Sequence, residues 1–445
     1  MHRGCWKTLS VVAVLIAWGA ASYAQSRPTP HLPGQCDASP RAPLAELEQL
    51  KETLEREVAR KTAEAAGQAK GQEKDLRKIQ EQLLDVIFQI DCQRNSEPSI
   101  RSVEPGARGA AAPSAVPAAA IEVTTYFATN RKRTAASETV KFYGSDFQPT
   151  YEYGRALVTI PRTHVPGNLE MPSLWKMELD SDANKHFVLK AVIPLGADSA
   201  RTEMAKRLAG MSSRSLLLFV HGYDTTFAEA ALRTAQLAHD LEFPGLAFFY
   251  SWPSAGSALR YWRDEEASQL SEAVFEQLLG ELSQFPATNI YIVAHSMGNR
   301  IVAGALRSRV IKKEETKHIR EVLLAAPDIN AELFRTAIAP QLAAMQGTRT
   351  TIYASSSDLA LRASKVVHGF RRVGETLGGV LVYPGVDTID ASGAATMIRE
   401  YGHSYLMDSS SVLKDVRTII QQKLAAKQRG LTEMGKTPDL YWQLR

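Results

Sequence analysis

Only three cysteines occur in 445 residues, and the formal net charge is just +4. The first scarcity excludes a scaffold held together mainly by disulfides. The second removes the electrostatic case for nucleic-acid binding, because the basic residues are scattered rather than gathered in a stripe. Past the first two dozen residues no apolar run approaches the ~20 residues that cross a bilayer. Histidines and cysteines do not recur at ligand spacing, so no zinc site and no other metal or cofactor is expected. Charged residues at 22% and hydrophobic ones at 44% leave an ordinary globular composition, long enough for one large domain and an appendage.

The chain opens like an export signal. His2, Arg3 and Lys7 form a basic start, Val11 to Trp18 an apolar core, and Ser22 and Ala24 are small residues suited to cleavage before Gln25. Residues 1–24 are therefore expected to be removed and the mature protein to be periplasmic or secreted, with no membrane span left; an uncleaved anchor is the other reading. Cys5 precedes the apolar core and is misplaced for lipid attachment. Removal leaves Cys36 and Cys92, an even pair that an oxidising compartment favours joining, two unpaired thiols being the other reading.

Within 25–94, two apolar stripes at helical spacing are legible. Leu47, Leu50, Leu54 and Val58 form one, and Leu76, Ile79, Leu83, Val86 and Ile90 the other, separated by a stretch containing Gly67 and Gly71. A single straight helix over 43–92 would hold its ends roughly 75 Å apart at ~1.5 Å per residue. A disulfide tolerates about 6 Å between Cα atoms. A hairpin turning near the glycines reconciles helix and bridge; an intermolecular coiled coil, with self-association or an envelope partner, is the rival. Residues 95–119 are rich in Ala, Pro, Ser and Gly and read as a flexible linker.

From 120 to 428 the texture changes. Three β-rich segments, Ile121 to Ala128, Ala156 to Ile160 and Phe187 to Ile193, precede apolar strands that alternate with helices. The strands are Leu216–Val220, Leu246–Tyr250, Ile290–Val293, Val322–Ala325 and Thr350–Tyr353; helices are expected over Phe227 to Leu241, Glu265 to Leu282, Gly298 to Val310 and Ser411 to Leu424. That βαβ rhythm predicts an α/β fold with a mainly parallel sheet covered on both faces. Residues 429–445 show no clear pattern.

Ile290-Tyr291-Ile292-Val293 runs straight into Ala294-His295-Ser296-Met297-Gly298 and then into a helix. A serine between strand and helix, with small residues two places either side, is the context of a nucleophile elbow, where the chain bends so sharply that bulk would clash. Upstream, Leu216 to Val220 ends in His221-Gly222-Tyr223. In such a fold this loop gives one oxyanion-hole donor and the residue after the nucleophile gives the other, which assigns the backbone N–H groups of Tyr223 and Met297.

At this point the sequence resembles the α/β-hydrolase superfamily, and in particular the bacterial esterase- or lipase-like proteins of the DUF900 family. The matching pieces are Tyr126-Phe127-Ala128-Thr129-Asn130-Arg131, Phe219-Val220-His221-Gly222-Tyr223, Tyr250-Ser251-Trp252-Pro253-Ser254, Ala294 to Gly298, Ala326-Pro327-Asp328-Ile329, Tyr353 to Asp358 and Gly402-His403-Ser404. The resemblance covers about 120–425 and implies the α/β-hydrolase fold and the order serine, acid, histidine. His403, in a loop before the last helix, is then the base; His368, before Gly369, reads as a surface position. His295 reads as structural, and His221 as shaping the oxyanion loop. Asp358, past the strand Thr350–Tyr353, is the preferred acid. Asp328, past the preceding strand, is the alternative acid, with a loop or N-cap role as its other reading. Asp387 and Asp390 fall too close to the last strand.

The resulting chemistry is attack by Ser296 on a carbonyl, with His403 taking its proton, Asp358 steadying the imidazole, and water resolving the acyl-enzyme. The substrate expected is a small carboxylic ester of short or medium acyl chain, with Tyr223, Phe227, Trp252, Tyr261 and Trp262 as residues able to line its pocket. Amidase, thioesterase and acyltransferase chemistry use the same triad. A different class of reading has the hydrolase domain degenerate and the N-terminal helices acting as an envelope interaction module.

Overall fold

The computed structural model of the chain describes residues 43–65, positions 79, 82, 83, 86 and 89, and residues 120–172, 182–256, 260–312, 316–394 and 405–444. The leader, Cys36, Cys92, the linker and His403 lie outside the described residues.

Helix α1, Leu44–Ala65, carries the first apolar stripe. Leu47 and Leu54 share a buried cluster with Leu83 and Val86, and Leu44 and Ile79 pack against it. Leu50, expected in the first stripe, is instead exposed.

Among the described residues the sheet has eleven strands. In chain order they are β1 Ile121–Arg133, β2 Tyr143–Ile160, β3 Val188–Leu195, β4 Ser215–Val220, β5 Leu246–Ser251, β6 Asn289–His295, β7 Ile319–Ala325, β8 Arg349–Ala354, β9 Val386–Asp390, β10 Thr432–Met434 and β11 Tyr441–Gln443. Their order across the sheet is β10-β11-β9-β8-β7-β6-β4-β5-β1-β2-β3. Pairing is parallel from β11 through to β1. It is antiparallel at the two edges, β10 with β11 and β1 with β2 and β3. The C-terminal tail, patternless in sequence, thus supplies two strands to the sheet. Each is three residues long, too short to show a pattern, so only pairing reveals them.

Alternation along each central strand divides the core between two faces. Leu216, Leu218, Val220, Ile290, Ile292 and Ala294 enter one cluster. Leu217, Phe219, Tyr291 and Val293 enter the other. The first face is covered by α2 (Ala197–Ala209), α4 (Tyr261–Leu282) and α5 (Gly298–Ile311). The second is covered by α3 (Phe227–Asp240) and α7 (Ser410–Gln422). Helix α6, Leu359–His368, follows β8 and ends on Gly369, whose φ of 71° makes the left-handed cap that glycine adopts most easily. Because the central strands are parallel, the loops after β4, β5, β6, β7 and β8 all gather at one edge. Among the described residues no helix is long and apolar enough to cross a membrane.

Candidate active site

Ser296 sits where β6 ends and α5 begins, with φ of 51°, in the left-handed region a residue with a Cβ rarely occupies. Such strain persists only where surroundings over-determine it, and here they do. The Ser296 N–H donates to the Ala325 carbonyl at 3.0 Å. The Asn299 amide nitrogen donates to the carbonyls of Ser296 and Ala325, each at 2.8 Å. Two glycines permit the close approach of β4. A Cβ on Gly298 would stand 2.3 Å from the His221 carbonyl oxygen, and one on Gly222 would stand 2.8 Å from the Ser296 Cβ. Any side chain at either position would push the loop after β4 away from the serine. Asn299, which lashes the turn together, was not singled out from sequence; nothing in a lone asparagine announces such a bond.

The loop after β4 is shaped by His221, as expected. Its ring is buried, stacks on Trp252 with centroids 5.1 Å apart, and donates from Nδ1 to the Gly222 carbonyl at 2.8 Å. Burial, reinforced by the nearby Arg131 charge, holds its pKa well below the usual histidine range, so the imidazole is neutral. The Trp252 indole N–H in turn donates to the His221 carbonyl at 2.8 Å. His295 is buried beside Gly222.

Of the two aspartates, Asp328 lies in the loop after β7, fully buried and saturated with partners. Tyr261 Oη donates to it at 2.6 Å and Ser364 Oγ at 2.7 Å. Arg300 and Arg372 approach its two oxygens, each at 3.2 Å. Burial alone would raise its pKa, but the two guanidinium groups outweigh that and hold the carboxyl far below the usual range. Asp358, in the loop after β8, is equally buried. It is the N-cap of α6, where Oδ1 accepts the Leu361 N–H at 2.9 Å, and its interactions extend beyond that cap. The N-cap role considered for Asp328 therefore belongs to Asp358, while Asn330 caps the helical segment after β7. Asp387 and Asp390 lie in β9, and Asp390 is tied to Ser392 at 2.5 Å.

His368 is not the surface residue its sequence context suggested. It is largely buried, donates from Nδ1 to the Ser364 carbonyl at 2.8 Å, and faces Glu265 at 3.2 Å. Burial would raise the Glu265 pKa, but His368 and Arg300 together bring it down to about 2. The aromatic residues divide. Trp252 is stacked on His221, and Phe227 belongs to the core with Phe127, Tyr143 and Phe249, so neither is a pocket wall. Tyr261 is engaged with Asp328 and lies edge-on to Tyr223 and Trp262. Tyr223 and Trp262 are both partly buried and pack against the core. A cavity of about 600 Å³ opens beside the amino-terminal ends of β1 and β5, lined by Val123, Tyr126, His239, Glu242, Lys414 and Arg417 among others; no residue of the elbow lines it.

Residues 196–419 match the family model described as "Alpha/beta hydrolase of unknown function (DUF900)". No curated protein matches. Among solved structures, the chain is similar to a thermostable esterase from Pseudomonas putida (12% identity, 87% of this chain and 98% of that one, TM-score 0.28). It is similar also to a hyperthermophilic esterase from the archaeon Pyrobaculum calidifontis (10% identity, 86% and 99%, TM-score 0.27). A third likeness is to phospholipase PlaB from Legionella pneumophila (11% identity, 52% and 68%, TM-score 0.26). At these values the neighbours bear on neither substrate nor mechanism.

Proposed function

We propose that this chain, which belongs to the DUF900 family of α/β hydrolases, is a serine hydrolase that cleaves carboxylic esters of short or medium acyl chain. The observation that carries this reading is the backbone of Ser296, held left-handed at φ 51° between strand and helix with Gly222 and Gly298 packed against it. A residue strained in this way, at the carboxyl edge of a parallel sheet, is the arrangement a nucleophile elbow needs.

In the proposed reaction His403 takes the Ser296 proton as Oγ attacks the ester carbonyl. The backbone N–H groups of Tyr223 and Met297 receive the developing oxyanion, which is worth about 3 kcal/mol per donor. His403 then gives the proton to the leaving alcohol, and a water attacks the acyl-enzyme by the same route reversed. Asp358 is the acid that holds the imidazole; its cap bond to the Leu361 N–H falls on one oxygen, Oδ1. The saturated cage around Asp328 supports the choice of Asp358 over it. Export through residues 1–24 and a Cys36–Cys92 bridge across the helical hairpin complete the reading.

Ser296→Ala is the direct test. Ester turnover is expected to fall to background while the far-ultraviolet spectrum and thermal midpoint stay those of the parent chain. Retained hydrolysis of p-nitrophenyl acetate by that variant would remove the assignment.

A further inference from the structure

Arg131, near the end of β1, is about 1% exposed, yet among the described residues no carboxylate lies within ion-pair distance of its guanidinium. Its donors go elsewhere. Nε donates to Ser251 Oγ at 2.8 Å, and Nη1 to the carbonyls of Ser254 and Gly144 at 2.9 and 3.0 Å. Nη2 donates to the Thr225 carbonyl at 2.7 Å and faces His221 Nε2 at 3.4 Å. One planar fork thus joins the loop after β4 to the loop after β5.

Asp264, in the first turn of α4 and fully buried, grips the same two loops from the other side. It accepts the Asp224 N–H at 3.0 Å, the Ala255 N–H at 2.7 Å and the Ser254 hydroxyl at 2.5 Å. The Ser254 oxygen in turn accepts the Thr225 N–H at 3.0 Å. Both the N–H and the carbonyl of Thr225 are therefore pinned, and so is the N–H of Asp224, itself left-handed at φ 53°. The residue immediately before is Tyr223.

We propose that Arg131 and Asp264 are positioning residues that fix the loop after β4 so that the Tyr223 N–H is aimed at the oxyanion forming beside Ser296. The proposal rests on the serine-hydrolase reading above. Its physical basis is cost: a charged fork stripped of water without a touching counter-ion is a poor way to gain stability. A preorganised donor, by contrast, needs a loop that does not relax when charge appears. Burial draws the Arg131 pKa down to about 9, so the group stays charged across neutral pH.

Full-length Arg131→Lys and Asp264→Asn are compared with the parent chain. Reactive serines are counted by fluorophosphonate titration, and kcat and KM for p-nitrophenyl butyrate are expressed per titrated serine. Inhibition by a trifluoromethyl ketone reads oxyanion binding separately. The expected result is a kcat per site lower by about 10²- to 10³-fold, the loss of one oxyanion donor, with KM little changed and ketone inhibition weakened in parallel. A merely structural role would lower the thermal midpoint and the titrated fraction while leaving kcat per site and ketone inhibition untouched, and that result overturns the proposal. If the Arg131 variant does not fold, the isosteric Asp264→Asn decides by the same criterion. A parent chain that fluorophosphonate does not label at Ser296 would instead bring down the hydrolase reading itself.

Discussion

Two loops leave the neighbouring parallel strands β7 and β8 at one edge of the sheet, and each carries a fully buried aspartate. Asp328 is gripped by two arginines, a tyrosine and a serine. Asp358 caps a helix through one oxygen. Both aspartates stand where an acid of a serine–acid–histidine set is found, so position along the chain does not separate them. Environment does. A carboxylate whose oxygens are all occupied by permanent cations is a structural keystone. One that caps a helix through a single oxygen, with further interactions beyond the cap, meets a different environment.

That contrast is broken or sharpened most strongly by exchanging each aspartate for asparagine. Asp358→Asn should lower kcat by roughly 10³- to 10⁴-fold, because a triad amide favours the wrong imidazole tautomer. The fold should survive, since asparagine caps a helix as well as aspartate. Asp328→Asn should keep its activity per folded molecule. The reverse pattern in steady-state kinetics would move the acid to the loop after β7.

Next in size is stability. Asp328→Ala leaves Arg300 and Arg372 buried without their common counter-ion and should cost about 3–5 kcal/mol in denaturant unfolding. Asp358→Ala removes a helix cap worth ~1 kcal/mol besides its other interactions, and should cost less than Asp328→Ala. Equal losses would erase the distinction.

The pH dependence separates the two environments further. The folded pKa of Asp328 is depressed, so its contribution is present above the unfolded value near ~3.9 and is lost as pH falls through the folded one. Stability against urea should therefore decline on acidification below about pH 4, and Asp328→Asn should flatten that limb.

A third buried carboxylate gives the smallest and opposite effect. Asp240 faces His164 Nε2 at 2.7 Å while Glu170 faces Nδ1 at 2.8 Å. Burial would lower the pKa of that imidazole, but the two carboxylates raise it above the ordinary histidine value. Its stabilisation is full below the unfolded value near ~6.5 and is lost as pH rises through the folded one. His164→Gln should remove this alkaline loss, and an unchanged slope would show that the clamp carries no proton.

How far these features could be read from sequence depends on how local their causes are. Leu216–Val220 and Ile290–Val293 were legible because strands buried on both faces must be uninterrupted apolar runs. The elbow was legible because a sharp bend demands small residues at fixed offsets, and Gly298 meets that demand. Strand β9 was not, since Thr388, Asp387 and Asp390 hide its pattern. The buried cage of Asp328 assembles Arg300, Ser364 and Arg372 from three separate segments, and no single segment hints at it. His368 looked like a surface residue because its partner Glu265 lies 103 positions away. Arg131 stood inside a family-like motif, yet only the fold reveals which carbonyls its fork meets.

The most direct measurement is mass-spectrometric mapping after reaction with a fluorophosphonate, run as a function of pH. One adduct per chain, carried on the peptide containing Ser296 and forming faster as pH rises through about 6.5, is the predicted result. A folded chain that stays unlabelled, or that carries its adduct on another residue, would contradict the account.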